Sequence, residues 1–309
     1  MYKVTSIYPH QDKIKVEWNL GKRCNYNCEY CPSEIHDSTS PHTEIEILYS
    51  AVDTLVQQGD IRLSFTGGEP CVHPMFEELV SYAKSTGIRW VSVTTNGTRK
   101  ADYYVGLSVD QYVFSLHFES DWRRVLDTII EVHRASQRFV MVNLMAHQDK
   151  MDLAKEAVAL LSAANVPYVV RRIRWSQGVQ DVFNDEKYSE VDLDWIVSNT
   201  ATVKPNTIID DTDKYHANDI IKLHLNKYHG WSCNAGLESL MINWDGDVHR
   251  ATCRVGGSLG NIYKGSFSQI REPVICTREY CTCAADIPLT KVSLSELPSL
   301  PVVPEHSDN

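Results

Sequence analysis

No apolar run in this 309-residue sequence approaches the roughly 20 residues a membrane-spanning helix needs, and the opening stretch, MYKVTSIYPHQDK, has no apolar segment of signal-peptide type. A cytoplasmic chain with no membrane partner is therefore expected. Positive charge is also short: 30 Lys and Arg stand against 40 Asp and Glu, for a net charge of −10. Outside Arg171, Arg172 and Arg174 no basic cluster is longer than a pair or so. That excludes a nucleic-acid partner, because neutralising phosphates requires a basic face. With 43% hydrophobic and 23% charged residues, intrinsic disorder, collagen-like repeats and coiled coil are excluded as well. Cysteine is missing between Cys71 and Cys233, yet nine are present in all. Cys24, Cys28 and Cys31 form one cluster, Cys71 stands alone, and Cys233, Cys253, Cys276, Cys281 and Cys283 crowd the last quarter. In a reducing cytosol such thiols are metal ligands or catalytic groups rather than disulfides, so two metal-binding regions are expected.

The length exceeds that of a usual single domain. Up to about residue 176, β-rich runs alternate with amphipathic stretches. The runs are 14–20, 61–66, 89–95, 111–118, 138–146 and 167–175; the helical stretches are 46–58, 75–87, 122–136 and 152–164. Six strands alternating with helices imply right-handed βαβ units in a parallel sheet or partial barrel, with function at the C-terminal strand ends. In 111–118 one face carries Tyr112, Phe114, Leu116 and Phe118, and the other Val113, Ser115 and His117, followed by Glu119. In 138–146 the mixed face is Phe139, Met141, Asn143 and Met145, followed by His147. Polar residues recurring at strand ends suit either a ligand cavity or a satisfied rim.

Residues 186–230 form a bridging region with short helices near 192–200 and 219–228. From Trp231 to about residue 290 the cysteines return around LMINWDGDVHRAT, where Asp245-Gly246 signals a hairpin turn. Residues 291–309 carry Pro298, Pro301 and Pro304 and should form an extended or disordered tail.

GKRCNYNCEYCPSE places Cys24, Cys28 and Cys31 with x3 and x2 spacers directly after the first of these strands. Three thiolates on one loop can hold three irons of a [4Fe–4S] cube and leave the fourth without a protein ligand. Zinc is the alternative and would need a fourth ligand, for which His36 or His42 is available. Strand 61–66 then runs into Thr66-Gly67-Gly68-Glu69-Pro70, and strand 89–95 into Thr95-Asn96-Gly97.

These three motifs, in this order and each at a strand end, resemble those of the radical S-adenosylmethionine (radical SAM) superfamily. The resemblance implies an α/β fold, a partial (β/α)6 TIM-like barrel over residues 1–185. It implies that Cys24, Cys28 and Cys31 ligate a [4Fe–4S] cluster whose open iron takes the amino and carboxylate groups of SAM. Gly67, Gly68, Glu69 and Pro70 would hold the SAM amino group, Tyr30 would lie near the adenine, and Asn96 would belong to the same cradle. Ser115, Asn143 and Arg172 are further SAM-binding candidates, placed by strand position. One electron, from a flavodoxin- or ferredoxin-type donor, would cleave SAM to a 5′-deoxyadenosyl radical that takes hydrogen from a substrate C–H bond. His117 and His147 are the candidates for a substrate contact or proton acceptor. Cys71 is either a hydrogen-atom donor or a small buried hydrophobe.

Cys233, Gly236, Asp245-Gly246-Asp247-Val248, Cys253 and Gly260-Asn261-Ile262, followed by Cys276, Cys281 and Cys283, resemble the SPASM/twitch extension of such enzymes. Five cysteines fit the one-cluster twitch form over residues 231–290, with one auxiliary [4Fe–4S] cluster and one spare thiol, or a structural zinc. Relatives with auxiliary clusters modify peptides or oxidise small molecules. With 23 residues ahead of Cys24, peptide-leader recognition is expected from another chain or not at all. Without a C-terminal Gly-Gly, the molybdopterin-pathway cyclase is a poor match. Oxidation or crosslinking of a peptide is expected, with small-molecule oxidation or isomerisation as the alternative. A non-catalytic metal-binding scaffold is the reading of another class.

Overall fold

A computed structural model describes residues 3–6, 13–34, 36–173, 187–199, 207–209 and 213–293. Strand β1 (Lys3–Ser6) belongs to a small sheet taken up below. The main sheet has at its centre β2 (Lys13–Asn19), β3 (Asp60–Thr66), β4 (Trp90–Thr95), β5 (Gln111–Leu116), β6 (Phe139–Ala146) and β7 (Tyr168–Arg172). All six are parallel and adjacent in chain order. Parallel neighbours need crossovers, here α1 (Ile45–Val56), α2 (Phe76–Ser85), α3 (Ala101–Gly106), α4 (Trp122–Ala135) and α5 (Met151–Ala163). The short α3 was not legible in the sequence. Arg174 and Trp175, expected to end the last strand, lie outside the described residues.

One face of each strand is apolar and buried: Val16 and Trp18 on β2, Leu63 and Phe65 on β3, Phe114 and Leu116 on β5, Val142 and Leu144 on β6. These pack with Leu48, Leu55, Phe76, Leu79, Leu126 and Leu161 of the crossover helices into one core. The alternate face carries Lys15, Glu17, Asn19, Arg62, Ser64, Ser115, His117 and Asn143. A parallel sheet buried on both sides reads as continuous apolar strands. The alternation here leaves a polar interior face, so the sheet is helix-covered on one side and lines a wettable concavity on the other.

Beyond β7, α6 (Glu190–Ser198) is capped by Ser189, whose hydroxyl accepts from the Asp192 N–H, and β8 (Thr207–Ile209), β9 (Asp213–Tyr215) and α7 (Ala217–Lys222) follow. The helix expected over 219–228 stops early because His224 takes a left-handed φ of 55° and the Leu225 N–H turns back to the Ile220 carbonyl at 3.0 Å. After β10 (Ser232–Cys233), the expected hairpin is β11 (Ser239–Ile242) and β12 (Asp247–His249), joined through Gly246 at φ 84°. A Cβ on Gly246 would lie 2.4 Å from the Tyr263 ring.

This hairpin does not stand apart from the barrel. β11 pairs in parallel with β2, Leu240 opposite Val16, and β12 continues to β13 (Ser258–Asn261). The exposed edge of β2 is thereby covered, and Trp18 Nε1 donates to Tyr263 Oη at 2.9 Å across the junction. The remaining strands, β14 (Val274–Ile275) and β15 (Lys291–Val292), complete the second sheet in the order β14-β10-β15-β1-β8-β9. The expected tail thus begins inside a sheet: Lys291 pairs with Cys233 and with Val4. Residues from 294 onward lie outside the described residues.

Candidate active site

The loop after β2 is shaped by a return of the chain. Cys24 N–H donates to the Asp37 carbonyl at 2.7 Å, and Asp37 N–H to the Lys22 carbonyl at 2.9 Å. Asp37 also accepts from Ser40 and pairs with Lys22 at 3.3 Å, contacts that hold its carboxyl below the usual range. Cys24, Cys28 and Cys31 are thereby gathered on one closed loop. Burial is the main cause of their raised thiol pKa values, to about 12 for Cys28 and about 11 for Cys31, and each also feels another thiol of the set or Glu69. Tetrahedral zinc, with Zn–S bonds of about 2.3 Å, holds its sulfurs roughly 3.8 Å apart. Among the described residues, the one group of three or more Cys, His, Asp or Glu ligand atoms within 4.8 Å of one another is Cys28, His117 and Glu119. Cys24, Cys28 and Cys31 do not themselves form a group within that span. They suit a centre in which each sulfur has its own iron.

The Gly-Gly turn after β3 packs on that loop. Gly68 N–H donates to the Gly21 carbonyl at 2.8 Å and Glu69 N–H to the Arg23 carbonyl at 2.9 Å. A Cβ on Gly68 would sit 2.3 Å from the Lys22 carbonyl oxygen, and one on Gly67 2.4 Å from Asn19 Oδ1. Both positions need glycine for backbone approach. Glu69, 3% exposed, turns inward. Its carboxylate accepts from Cys71 N–H at 2.9 Å, Thr95 Oγ1–H at 2.7 Å and Asn96 N–H at 2.6 Å. Burial raises its pKa against these three donors. Pro70 opens a short 3-10 turn that buries Cys71. Asn96 Nδ2 donates to Asn25 Oδ1 at 2.8 Å and lies 3.9 Å from Cys24 Sγ, so the third motif also supports the cysteine loop.

At the end of β5, His117 Nδ1 lies 2.6 Å from Tyr30 Oη and 3.7 Å from Cys28 Sγ. Tyr30 Oη–H donates to Glu119 Oε2 at 3.2 Å, and Lys150 Nζ donates to Glu119 Oε1 at 3.2 Å. Burial pulls the His117 pKa down to about 4, with Glu119 opposing, so the ring is neutral at neutral pH. His117 is therefore a hydrogen-bonding partner of the cysteine loop. Glu119 and Lys150, which belong to no sequence motif, complete this network.

His147, the other expected substrate contact, follows β6 directly. Its ring is 2% exposed, Nδ1 accepts from the Asp149 N–H at 3.2 Å, and Nε2 lies 2.8 Å from Glu29 Oε1. With both nitrogens engaged it ties the β6–α5 connection to the cysteine loop. Arg172, expected with Ser115 and Asn143, lies on β7. Ser115 pairs with Asn143 across β5 and β6, and the arginine reaching this rank is Arg171, whose Nε donates to Asn143 Oδ1 at 3.1 Å. Arg172 pairs with Ala146, one position out of phase and so on the other face. Strand parity, applied to β7 as it was to β5, would have selected Arg171.

The C-terminal thiols converge from four segments. Burial raises the pKa values of Cys233, Cys253 (about 11), Cys281 and Cys283 (about 12). Cys233 and Cys276 both act on Cys253, Cys276 acts on Cys233, and Cys253 acts on Cys281. Cys283 also acts on Cys281 and itself feels Asp286 and Glu17, and its Sγ lies 3.7 Å from Thr252 Oγ1. These thiols form no zinc-sized group among the described residues. Asp286, with its pKa raised to about 6 by burial, accepts from the Cys253 N–H at 3.3 Å.

An open parallel barrel with a thiol loop at the end of its first parallel strand defines a class of metalloenzyme. The chain belongs to the radical SAM superfamily, whose pattern it matches over residues 18–173. Membership implies a [4Fe–4S] cluster, SAM, an external source of electrons and radical chemistry. The chain is 36% identical over 97 residues to the GTP 3',8-cyclase of Chlorobaculum tepidum, covering 30% of this chain and 29% of that one. It is 34% identical over 87 residues to the Fe-coproporphyrin III synthase of Methanosarcina barkeri, covering 28% and 22%. The cyclase, expected to be a poor match, is thus a local relative. The chain spans less than a third of the length of these relatives. In three dimensions it resembles anSMEcpe with bound AdoMet, at TM-score 0.55 and 13% identity over 81% of this chain and 78% of that one. anSMEcpe has also been solved with AdoMet and the Cp18Cys peptide. Streptococcus suis SuiB bound to S-adenosylmethionine gives TM-score 0.55 and 13% identity over 82% and 64%. At that identity the likeness establishes the fold alone. Among the described residues no helix is long and apolar enough to cross a membrane.

Proposed function

We propose that this radical SAM enzyme oxidises or crosslinks a peptide, working in the cytoplasm with a flavodoxin- or ferredoxin-type electron donor. Cys24, Cys28 and Cys31 hold the [4Fe–4S] cluster. Bound together, cluster and SAM supply reductive cleavage of the sulfonium and a 5′-deoxyadenosyl radical for C–H abstraction. The backbone at Gly67 and Gly68 forms the floor of the SAM cradle. Ser115, Asn143 and Arg171 offer its polar contacts on the inner face, and Tyr30, fixed by His117 and Glu119, closes it. Four of Cys233, Cys253, Cys276, Cys281 and Cys283 hold an auxiliary [4Fe–4S] cluster in a twitch-type region.

The observation carrying this reading is the reach of the fold. The likeness to anSMEcpe covers 81% of this chain, more than the residues up to 173 could supply, and anSMEcpe has been solved with a peptide. The curated relatives favour a second reading, a small-molecule substrate, since both are named for small molecules.

The test is anaerobic reconstitution with iron and sulfide, then SAM and dithionite. 5′-Deoxyadenosine should form and should vanish in Cys28→Ala; none from a fully loaded wild type would leave the scaffold reading. Co-expression with short peptides encoded beside the gene, followed by mass spectrometry, should show loss of a hydrogen pair. Unmodified peptides, with turnover of a nucleotide or porphyrin instead, would favour the second reading.

A further inference from the structure

Two buried polar groups stand beside the C-terminal thiols, and one of them has no hydrogen-bond partner among the described residues. Tyr228 is 2% exposed and packs with Cys276 and Cys281. Its hydroxyl is fully buried, lacks a hydrogen-bond partner among the described residues, and interacts electrostatically with Cys281 and Cys233. Buried hydroxyls almost always find a partner, so an orphan marks a missing acceptor. Lys291 is also 2% exposed. Its Nζ donates to the carbonyls of Asp286, Ile287 and Leu289 at 2.7, 3.0 and 3.0 Å and lies 5.2 Å from the centre of the Tyr228 ring. The three carbonyls satisfy its protons and its charge lowers the pKa of the buried Asp286 carboxyl, while no salt bridge pairs it among the described residues. A buried ammonium without a contact ion pair is stabilised by further negative charge nearby. Its Cα partner across the sheet is Cys233, and its charge lowers the pKa of both Cys233 and Cys281.

An acceptor beside Tyr228 and a negative charge beside Lys291 are what an anionic, sulfur-rich centre on these cysteines would provide. We propose that Tyr228 and Lys291 form the polar wall of the C-terminal cluster, the Tyr228 hydroxyl donating to one of its sulfurs and the Lys291 ammonium offsetting its negative charge. This rests on the cluster reading of the C-terminal cysteines. Both groups favour the more negative, reduced state, so each raises the reduction potential of the centre. Tyr228 and Lys291 are positioning and tuning residues that do not react. In the redox step dithionite gives one electron to the cluster, and no bond to protein breaks.

The experiment uses the full-length chain with Cys24→Ala, Cys28→Ala and Cys31→Ala, so that any iron–sulfur signal comes from the C-terminal site. Reconstitution should load about four irons per chain, and an EPR-monitored redox titration gives the midpoint potential. Added to this background, Tyr228→Phe should keep the iron and shift the midpoint to more negative potential. Lys291→Met should shift it further the same way or lose the cluster. An unchanged midpoint in Tyr228→Phe overturns the inference while the cluster reading stands. A triple-cysteine background that folds by circular dichroism but binds no iron overturns the cluster reading itself. Tyr228→Phe removes one oxygen from a site with no hydrogen bond to lose, so it decides the matter even if Lys291→Met fails to fold.

Discussion

Glu69 shows how one residue serves the fold inside a motif expected to serve a ligand. The sequence placed it against the SAM ammonium, whereas the structure gives its oxygens three protein donors from two strand ends. Glu69→Gln keeps the shape but turns an amide NH2 toward one of those donors. A buried donor left unsatisfied costs about 1–3 kcal/mol, more where the bond was to a charged group. The metal-free variant should accordingly lose about 2–3 kcal/mol in urea unfolding. A loss of SAM affinity with unchanged stability would return Glu69 to the ligand.

At the scale of elements, the cysteine loop, the Gly-Gly turn and the β4 end form one unit, because each fills hydrogen-bonding positions that the others leave open. Gly68 is its tightest point, with carbonyl oxygens of Lys22 and Arg23 2.3 and 2.4 Å from where a Cβ would be. Neither backbone can retreat without breaking the bonds at Gly68 and Glu69. Gly68→Ala should therefore lower iron retention after reconstitution at least several-fold while circular dichroism keeps its helical signal. Full iron loading of Gly68→Ala would mean that the loop holds its shape without this contact. β11 shows a different limit of sequence reading. Asp245-Gly246 marked the turn, but nothing local to it names β2 as its neighbour, since the pairing depends on an edge 220 or so residues earlier.

For the whole molecule, buried histidines set the response to acid. Burial lowers the pKa values of His42, His73, His117 and His216, in the case of His117 to about 4. The unfolded chain, near 6.5, then binds more protons than the folded one between about pH 6.5 and 4. Stability consequently rises with pH across that window and is lost on acidification. Asp286, raised to about 6, acts in the opposite sense below that pH and offsets part of the loss. Urea midpoints of the metal-free protein should fall from pH 7 to 4.5, and His117→Gln should flatten the slope. A slope unchanged by His117→Gln would show that this histidine is not held neutral in the fold.

The sequence by itself determined the order of parallel strands and crossover helices, the three-cysteine loop and the two glycines after β3. Period-2 alternation, turn dipeptides and cysteine spacing are local signals, readable over a few residues. The tertiary structure decided which arginine of the 171–172 pair meets Asn143, that both nitrogens of His147 are engaged, and that Tyr228 and Lys291 stand beside Cys233 and Cys281. Those facts depend on register and burial between segments far apart in the chain. No local pattern encodes which two distant strands will share an edge or what a buried side chain will find opposite it.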